Sequence, residues 1–360
     1  MKSNIKNIIM ILLFFAIGLA GFIYNNASDI TSLIIAVVLF ALGFVLLIKG
    51  GDYFVDGATA VAEKFKVPEL LIGATVVSIG TTLPEVMVSA QAAVKGNSGI
   101  SYGNAIGSII CNVSLIAAIT LIAKPAKVKK KPLYFPVAFF FVAAIFYAVN
   151  AYVFQNFSLI TGIILLCMFV VYMIVNVKQA LSPKKDEEPE EVAEEEEKKD
   201  IPIYLAIIML VLGAAIIAFG ATLLVDNGTI IASKLGVPDS VIALTVVALG
   251  TSLPELVTAI TSLIKGHGAL SLGNVIGANI FNLVLVSGLA ITLKPFPLPE
   301  GNYLAGINSS LLVDVPLMFI VMMLLTLPPI IKGKLYRWQG ITLIVIYVAF
   351  CVFQFALGMS

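Results

Sequence analysis

Along the 360-residue chain, apolar residues come in blocks of about 20 rather than at a strand or surface-helix period. Ten such blocks fall at roughly 31–55, 68–94, 100–123, 133–151, 158–178, 202–225, 238–264, 270–293, 311–331 and 339–358. A block of that length matches a helix crossing a bilayer about 30 Å thick. The pattern predicts an all-α polytopic membrane protein with ten core transmembrane helices. A further block opens the chain. Residues 1–28 read either as a cleavable signal peptide, with a basic start and small residues Gly18 and Ala20, or as an extra transmembrane helix.

Between the fifth and sixth blocks runs "SPKKDEEPEEVAEEEEKKD", which holds 10 of the chain's 21 acidic residues and no aromatic. Such a segment is a solvated linker. It divides the chain into a first five-helix repeat (29–180), a linker (181–200) and a second five-helix repeat (201–360). The halves are related in sequence. Residues 67–112 slide onto 237–282 at a constant offset of 170 without gaps, and 20 of 46 positions are identical. The shared positions include Val67/Val237, Pro68/Pro238, Thr75/Thr245 and Gly103-Asn104/Gly273-Asn274, which apolar low complexity does not reproduce.

Charge sets the orientation. The connector 124–132 ("KPAKVKKKP") carries five lysines, and 332–337 ("KGKLYR") adds three cations. Placing both inside, with the acidic linker, fixes the other loops. Five spans per half then make the second repeat enter from the opposite face. These are inverted-topology repeats, whose substrate site is expected near the membrane midplane.

Composition narrows the class. The chain is 60% hydrophobic and 12% charged, far from the balance of a soluble domain, and its net charge of +1 offers no basic face for nucleic acid. Cys111, Cys167 and Cys351 lie in apolar spans, where small buried residues are the expectation. Outside the linker, Asp29, Asp52, Asp56, Glu63, Glu69, Asp226, Asp239, Glu300 and Asp314 fall at span ends or in loops. Only Glu85 and Glu255 lie well inside spans. An ionised carboxylate there needs a polar cavity or a counter-ion.

Both acids end a repeated motif, "GTTLPE" at 80–85 and "GTSLPE" at 250–255. Pro84 and Pro254 lack an N–H, so carbonyls near Gly80 and Gly250 should lose helical partners and the helix should unwind. Thr81 and Glu85 share a helix face with Thr82 adjacent, as do Thr251, Ser252 and Glu255. Unwound carbonyls, hydroxyls and a carboxylate are an all-oxygen donor set suited to a hard cation such as Ca²⁺. The next span adds "GNAIGSIICN" (103–112) and "GNVIGANIFN" (273–282). Ser108 and Asn112 share a face; the second copy has Ala278 and Asn282. Gly107 and Gly277 would allow close helix approach. Asn104, Asn274 and Asn279 fit capping or interhelical packing, Asp56 and Asp226 fit helix ends, and the sole histidine, His267, fits a solvated loop.

Paired G-T-[ST]-L-P-E segments, each followed by G-N-x-x-G-[SA]-x-x-x-N and separated by an acidic linker, resemble the α-repeats of the prokaryotic Na⁺/Ca²⁺ exchangers of the cation/Ca²⁺ exchanger superfamily. The resemblance spans essentially the whole ten-helix chain. It implies alternating-access antiport rather than enzyme chemistry, with Na⁺ and Ca²⁺ as transported ions and no cofactor. Implied ligands are Thr81, Thr82, Glu85, Ser108, Asn112, Thr251, Ser252, Glu255 and Asn282, with backbone oxygens at Ser78 and Ala248. Two departures stand out. Ala278 removes a hydroxyl at the position of Ser108, and Asn282 replaces an Asp common in relatives, including the K⁺-dependent branch. The expected setting is the plasma membrane, with the linker cytoplasmic and a monomeric unit. A H⁺/Ca²⁺ antiporter on the same fold and a Ca²⁺-selective channel are the competing readings.

Overall fold

A computed structural model of the chain describes residues 2–27, 32–125, 127–181, 201–235, 250, 252–298, 303–304 and 306–358. The acidic linker beyond Leu181 and three loop acids, Asp29, Asp239 and Glu300, lie outside the described residues.

Eleven helices occur among the described residues: α1 (Lys2–Ala27), α2 (Leu33–Lys64), α3 (Glu69–Val94), α4 (Ser98–Ala123), α5 (Lys131–Phe154), α6 (Leu159–Leu181), α7 (Ile203–Lys234), α8 (Leu253–Ile264), α9 (Gly268–Leu293), α10 (Ser310–Lys332) and α11 (Arg337–Gly358). All except α8 are long and apolar enough to cross a membrane, so ten candidate spans are described and the chain is a multi-pass membrane protein. Helix is the form a lipid-embedded chain must take, because it satisfies each backbone N–H and C=O within its own segment. The span at 238–264 is described only from residue 250 onward, save Thr251.

The packing separates into two compact units, Met1–Ile72 with Ile174–Ser271 and Gly73–Met173 with Leu272–Ser360. Each draws on both sequence halves.

In the first unit, α2 and α7 pack along their length. Both run 32 residues, about 48 Å of helix, so their ends pass beyond the hydrocarbon. Glycines bring the backbones together. A Cβ on Gly43 would lie 2.8 Å from the Gly220 carbonyl oxygen, one on Gly50 2.8 Å from the Ile217 nitrogen, and one on Gly57 2.6 Å from the Ala206 oxygen. Contacts thus climb one helix as they descend the other. Gly43 and Gly50 are repeat mates of Gly213 and Gly220 at the same 170-residue offset, so two equivalent helices run antiparallel. That is the inverted relation the charge pattern predicts. Helix α1 packs on α7 and α2. Its Ile11 joins Leu39, Leu46, Leu205, Met209, Ile216 and Leu223 in one apolar cluster. Asn25 at its end donates to Asp226 at 2.7 Å and accepts from Asn227 at 2.9 Å.

Polar groups at the helix ends of this unit depart from the sequence reading. His267 is expected to be solvated, but it is half-buried, with Nδ1 2.7 Å from Glu69 Oε1. Burial pulls its pKa down, yet the hydrogen bond and charge of Glu69, with Asp56 and Glu63, outweigh burial and leave it raised above 6.5. Asp56 and Asp226 are not terminal, because α2 and α7 each continue eight residues past them. Lys265 pairs with Asp56 at 2.7 Å and Asp52 at 3.5 Å.

In the second unit, α3 from Gly73 onward packs on α4 and on the second half of α9, while α10 lies against α4 and α5 and α11 against α4. Among the described residues of this unit, π-helical turns interrupt α3 at Gly73–Val77, α4 at Asn112–Ala117 and α9 at Asn282–Val286, close α5 at Asn150–Phe154 and open α10 at Ser310–Asp314. Two short antiparallel ribbons close loops, β1 (Asn156–Phe157) on β2 (Phe296–Pro297) and β3 (Tyr303–Leu304) on β4 (Ile307–Asn308). Cys111 is buried, but Cys167 and Cys351 are exposed on outward faces of α6 and α11, so the expected burial holds for one of three.

Gly50→Leu should lower the thermal midpoint of the purified protein, because overpacking against backbone costs about 1–3 kcal/mol. Gly103→Ala, with no described atom within 4 Å, should not. An unchanged Gly50→Leu midpoint would contradict the backbone contact. The raised His267 pKa makes its stabilising contribution complete below pH 6.5 and lost as pH rises through the folded-state value. The gap in thermal midpoint between wild type and His267→Gln should therefore be larger at pH 5.5 than at pH 8.5; a gap independent of pH would refute the pairing.

Candidate cation-binding site

The first repeat's motif begins where α3 leaves its π turn. A π turn shifts the carbonyls out of α register, and Ser78, the next residue, serves the first of them: its Oγ lies 2.8 Å from the Gly73 oxygen. The same hydroxyl is within reach of the Asn274 backbone oxygen at 3.0 Å and Oδ1 at 3.3 Å. Thr81, one turn on, donates to Asn274 Oδ1 at 3.3 Å. A side chain on Gly277 would collide with Ser78 Oγ and the Ala74 backbone, so close approach is real there. Gly107 has no described atom within 4 Å.

Pro84 does not unwind its helix. Ser78–Val94 is continuous α-helix with Pro84 inside it, and the irregular turn lies earlier, at Gly73–Val77. One missing N–H frees one carbonyl; the surrounding helices hold the rest in register. Glu85 therefore sits mid-helix, 0% exposed, with Thr81 and Thr82 buried beside it. Asn104 on α4 fixes this stretch from behind, donating to the Glu85 backbone oxygen at 3.1 Å and to Ser89 Oγ at 2.8 Å.

On α4 and α9, Asn112 and Asn282 each open a π turn, at positions related by the repeat offset. Ser287 Oγ donates to the Asn282 backbone oxygen at 3.1 Å, as Ser78 does to Gly73 five residues back. Asn112 donates to Asn279 Oδ1 at 3.2 Å, and Asn279 reaches Met322 Sδ at 3.2 Å. Asn112 Oδ1 and both amide atoms of Asn282 are buried and make no hydrogen bond among the described residues. Buried carboxamides normally find partners, which makes Asn112 and Asn282 candidate ligands. Ser108 is buried on the same helix as Asn112, while Ala278 is wholly buried at its repeat-related position.

The second repeat's acid is set in the other unit and differently. Helix α8 begins at Leu253 with Pro254 in its first turn, where a missing N–H costs no bond; Gly250 is helical and Ser252 stands in a turn, so helical structure is interrupted just before this proline. Glu255 falls in the same turn, 1% exposed, where the helix dipole favours a negative charge. Thr258 donates to the Pro254 and Glu255 carbonyls at 2.9 and 3.0 Å. Ser252 Oγ is buried without a hydrogen-bond partner among the described residues. Thr251 and Ala248 lie outside them.

The structure thus brings Ser78, Thr81, Thr82, Glu85, Ser108, Asn112 and Asn282 into one unit's interior, with Ser252 and Glu255 buried in the other. Asn274 joins the first group through the Ser78 and Thr81 hydroxyls, although sequence reasoning assigns it to packing. Its only sequence signal is its repeat mate, Asn104, which touches the backbone of Glu85. The donors are oxygen, and no group of three or more His, Cys, Asp or Glu forms a softer metal centre among the described residues.

Known proteins share this framework. A family model described as sodium/calcium exchanger protein matches residues 35–178 and 205–356, one block on each side of the acidic linker. A membrane protein of Methanocaldococcus jannaschii is 36% identical over 317 residues, covering 88% of this chain and 97% of its own. A sodium/calcium exchanger of Methanosarcina acetivorans is 32% identical over 350 residues, covering 88% and 98%. Among solved structures, the sodium-calcium exchanger NCX_Mj soaked with Na⁺ and Sr²⁺ aligns with a TM-score of 0.74 at 34% identity, over 88% of this chain and 98% of that one. With both repeats matched and relatives alike over nearly their full length, the chain belongs to the sodium/calcium exchanger protein family.

Proposed function

We propose that the protein is a secondary antiporter that exchanges Na⁺ for Ca²⁺ by alternating access, the two cations competing for oxygen ligands centred on Glu85 and Glu255. The observation that carries this reading is the setting of Glu85. It is fully buried on a helix whose neighbouring Thr81 and Thr82 are buried too, and the repeat-related Asn112 and Asn282 present carboxamide atoms that no described residue satisfies. A buried carboxylate favours a cation strongly, and carboxamide and hydroxyl oxygens complete the shell a hard ion needs. Thr81, Thr82, Ser108, Asn112, Thr251, Ser252 and Asn282 supply side-chain oxygens, and Ser78 and Ala248 supply backbone ones. Family membership supports the choice of ions, as do the NCX_Mj structures soaked with Na⁺ and with Ca²⁺ or Sr²⁺.

The physical basis of exchange is mutual exclusion. One Ca²⁺ or more than one Na⁺ neutralises the carboxylates, and shared ligands stop both from binding together. An unneutralised site is too costly to occlude, so crossing requires a load. The setting we infer is the plasma membrane, with the acidic linker on the cytoplasmic side.

Ca²⁺ uptake into Na⁺-loaded proteoliposomes tests this. Glu85→Gln and Glu255→Gln should each reduce Na⁺-driven uptake by about a hundredfold or more, since leaving a buried cation without its carboxylate partner costs about 3–5 kcal/mol. Undiminished uptake in either variant sinks the assignment, and uptake driven by a pH gradient without Na⁺ would establish H⁺ as the counter-ion instead. Asn282→Leu separates ligand from scaffold. Replacing unsatisfied amide atoms with an apolar side chain should leave the ion-free thermal midpoint unchanged or raised while uptake falls at least about tenfold. A variant that loses stability but keeps uptake would assign Asn282 to packing.

A further inference from the structure

In the second unit, two basic connectors far apart in sequence are folded into one platform. Lys127 and Lys334 face each other across an antiparallel bridge, and the Val128 N–H donates to the Gly333 oxygen at 2.9 Å. Gly333 makes this possible by ending α10 in the left-handed region, φ +66. Lys130 Nζ reaches back to the Ile331 carbonyl at 2.6 Å, so one lysine is spent on holding the connectors together. Around that clasp lie Lys124, Lys127, Lys129, Lys131, Lys332, Lys334 and Arg337, all exposed.

Neither connector contains an acid, from Lys124 to Pro132 or from Lys332 to Trp338. Like charges set directly opposite on paired strands repel, yet the bridge pairs lysine with lysine. Orientation alone needs positive charge somewhere in each connector. It does not need the two connectors clasped into a single surface. Such an arrangement is stable against a polyanion.

Position selects which one. The connectors join the end of α4 to the start of α5 and the end of α10 to the start of α11, so every cation stands at the end of a membrane-spanning helix. Exposed Trp338, stacked on Tyr336, and exposed Tyr134 flank the cations, as aromatic side chains do at headgroup level. We propose that this platform is a docking surface for the phosphate headgroups of anionic phospholipids, held by the clasped Lys127–Lys334 pair with Lys332 and Arg337.

The test uses the full chain purified in a neutral detergent, with thermal unfolding followed while phosphatidylglycerol or phosphatidylcholine is titrated in. Phosphatidylglycerol should raise the midpoint at lower concentration than phosphatidylcholine. Each cation near an anionic surface is worth about fivefold in affinity, so Lys127→Gln/Lys334→Gln should need about 25-fold more phosphatidylglycerol, and the quadruple variant adding Lys332→Gln and Arg337→Gln about 600-fold more. If the quadruple variant does not fold, the double variant decides. Lys95→Gln/Lys294→Gln, removing two exposed cations at the C-terminal ends of α3 and α9, away from the clasped connectors, should respond as wild type does. Equal responses from wild type and the double variant overturn the proposal, as does equal loss in the control. So does a matching shift from inorganic phosphate alone, which would mark a free-anion site. A response that emerges only after deletion of residues 182–200 overturns it as well, by assigning the platform to the chain's own acidic segment.

Discussion

A carboxylate buried in a membrane-thick bundle is stable only beside positive charge, and a helix backbone in the same place must keep every N–H and C=O engaged. Those two demands pull against each other, because oxygens free to meet a cation are oxygens not used in helical bonding. The chain meets both with π turns. At Gly73–Val77 and Asn282–Val286 the helix loosens by one residue without ending, and a serine five residues on, Ser78 or Ser287, serves the first carbonyl of the loosened turn. Buried polar side chains can then share the span with Glu85 while the segment remains continuous helix.

The repeats solve the same problem unequally. Glu85 lies in the middle of a continuous helix whose proline costs a single bond, whereas Glu255 lies in the first turn of α8, where proline costs none and the helix dipole already favours the anion. Ser108 has Ala278 as its counterpart. The duplicated scaffold is therefore symmetric in topology and asymmetric in electrostatics, as the proposed exchange of ions of two different charges would use.

Much of this was legible in the sequence, for physical reasons. Lipid imposes a length and an apolarity on each span, so the helices and their order follow from hydropathy. Desolvation singles out Glu85 and Glu255 among all the acids. Connector charge and the 170-residue offset give the inverted relation that the antiparallel α2 and α7 display. What escaped was geometry that depends on a partner. Glycines at 43, 50 and 57 and at 213 and 220 repeat every seven residues, a visible stripe whose meaning needs the second helix against it. The pairing of His267 with Glu69 joins residues nearly two hundred positions apart. The shift of irregularity from Pro84 to Gly73 went unseen because a π turn has no residue signature comparable to proline's.

The two π turns that begin at Asn112 and Asn282 are also related to each other. Each turn holds one residue more than an α-helix would use there. Yet the offset between the halves is 170 before these turns, at Gly103 and Gly273, and still 170 after them, at Lys124-Pro125 and Lys294-Pro295. An insertion into one half alone would have broken that count. Both halves therefore keep the loosened turn at the same register, so it belongs to the repeat itself rather than to one copy.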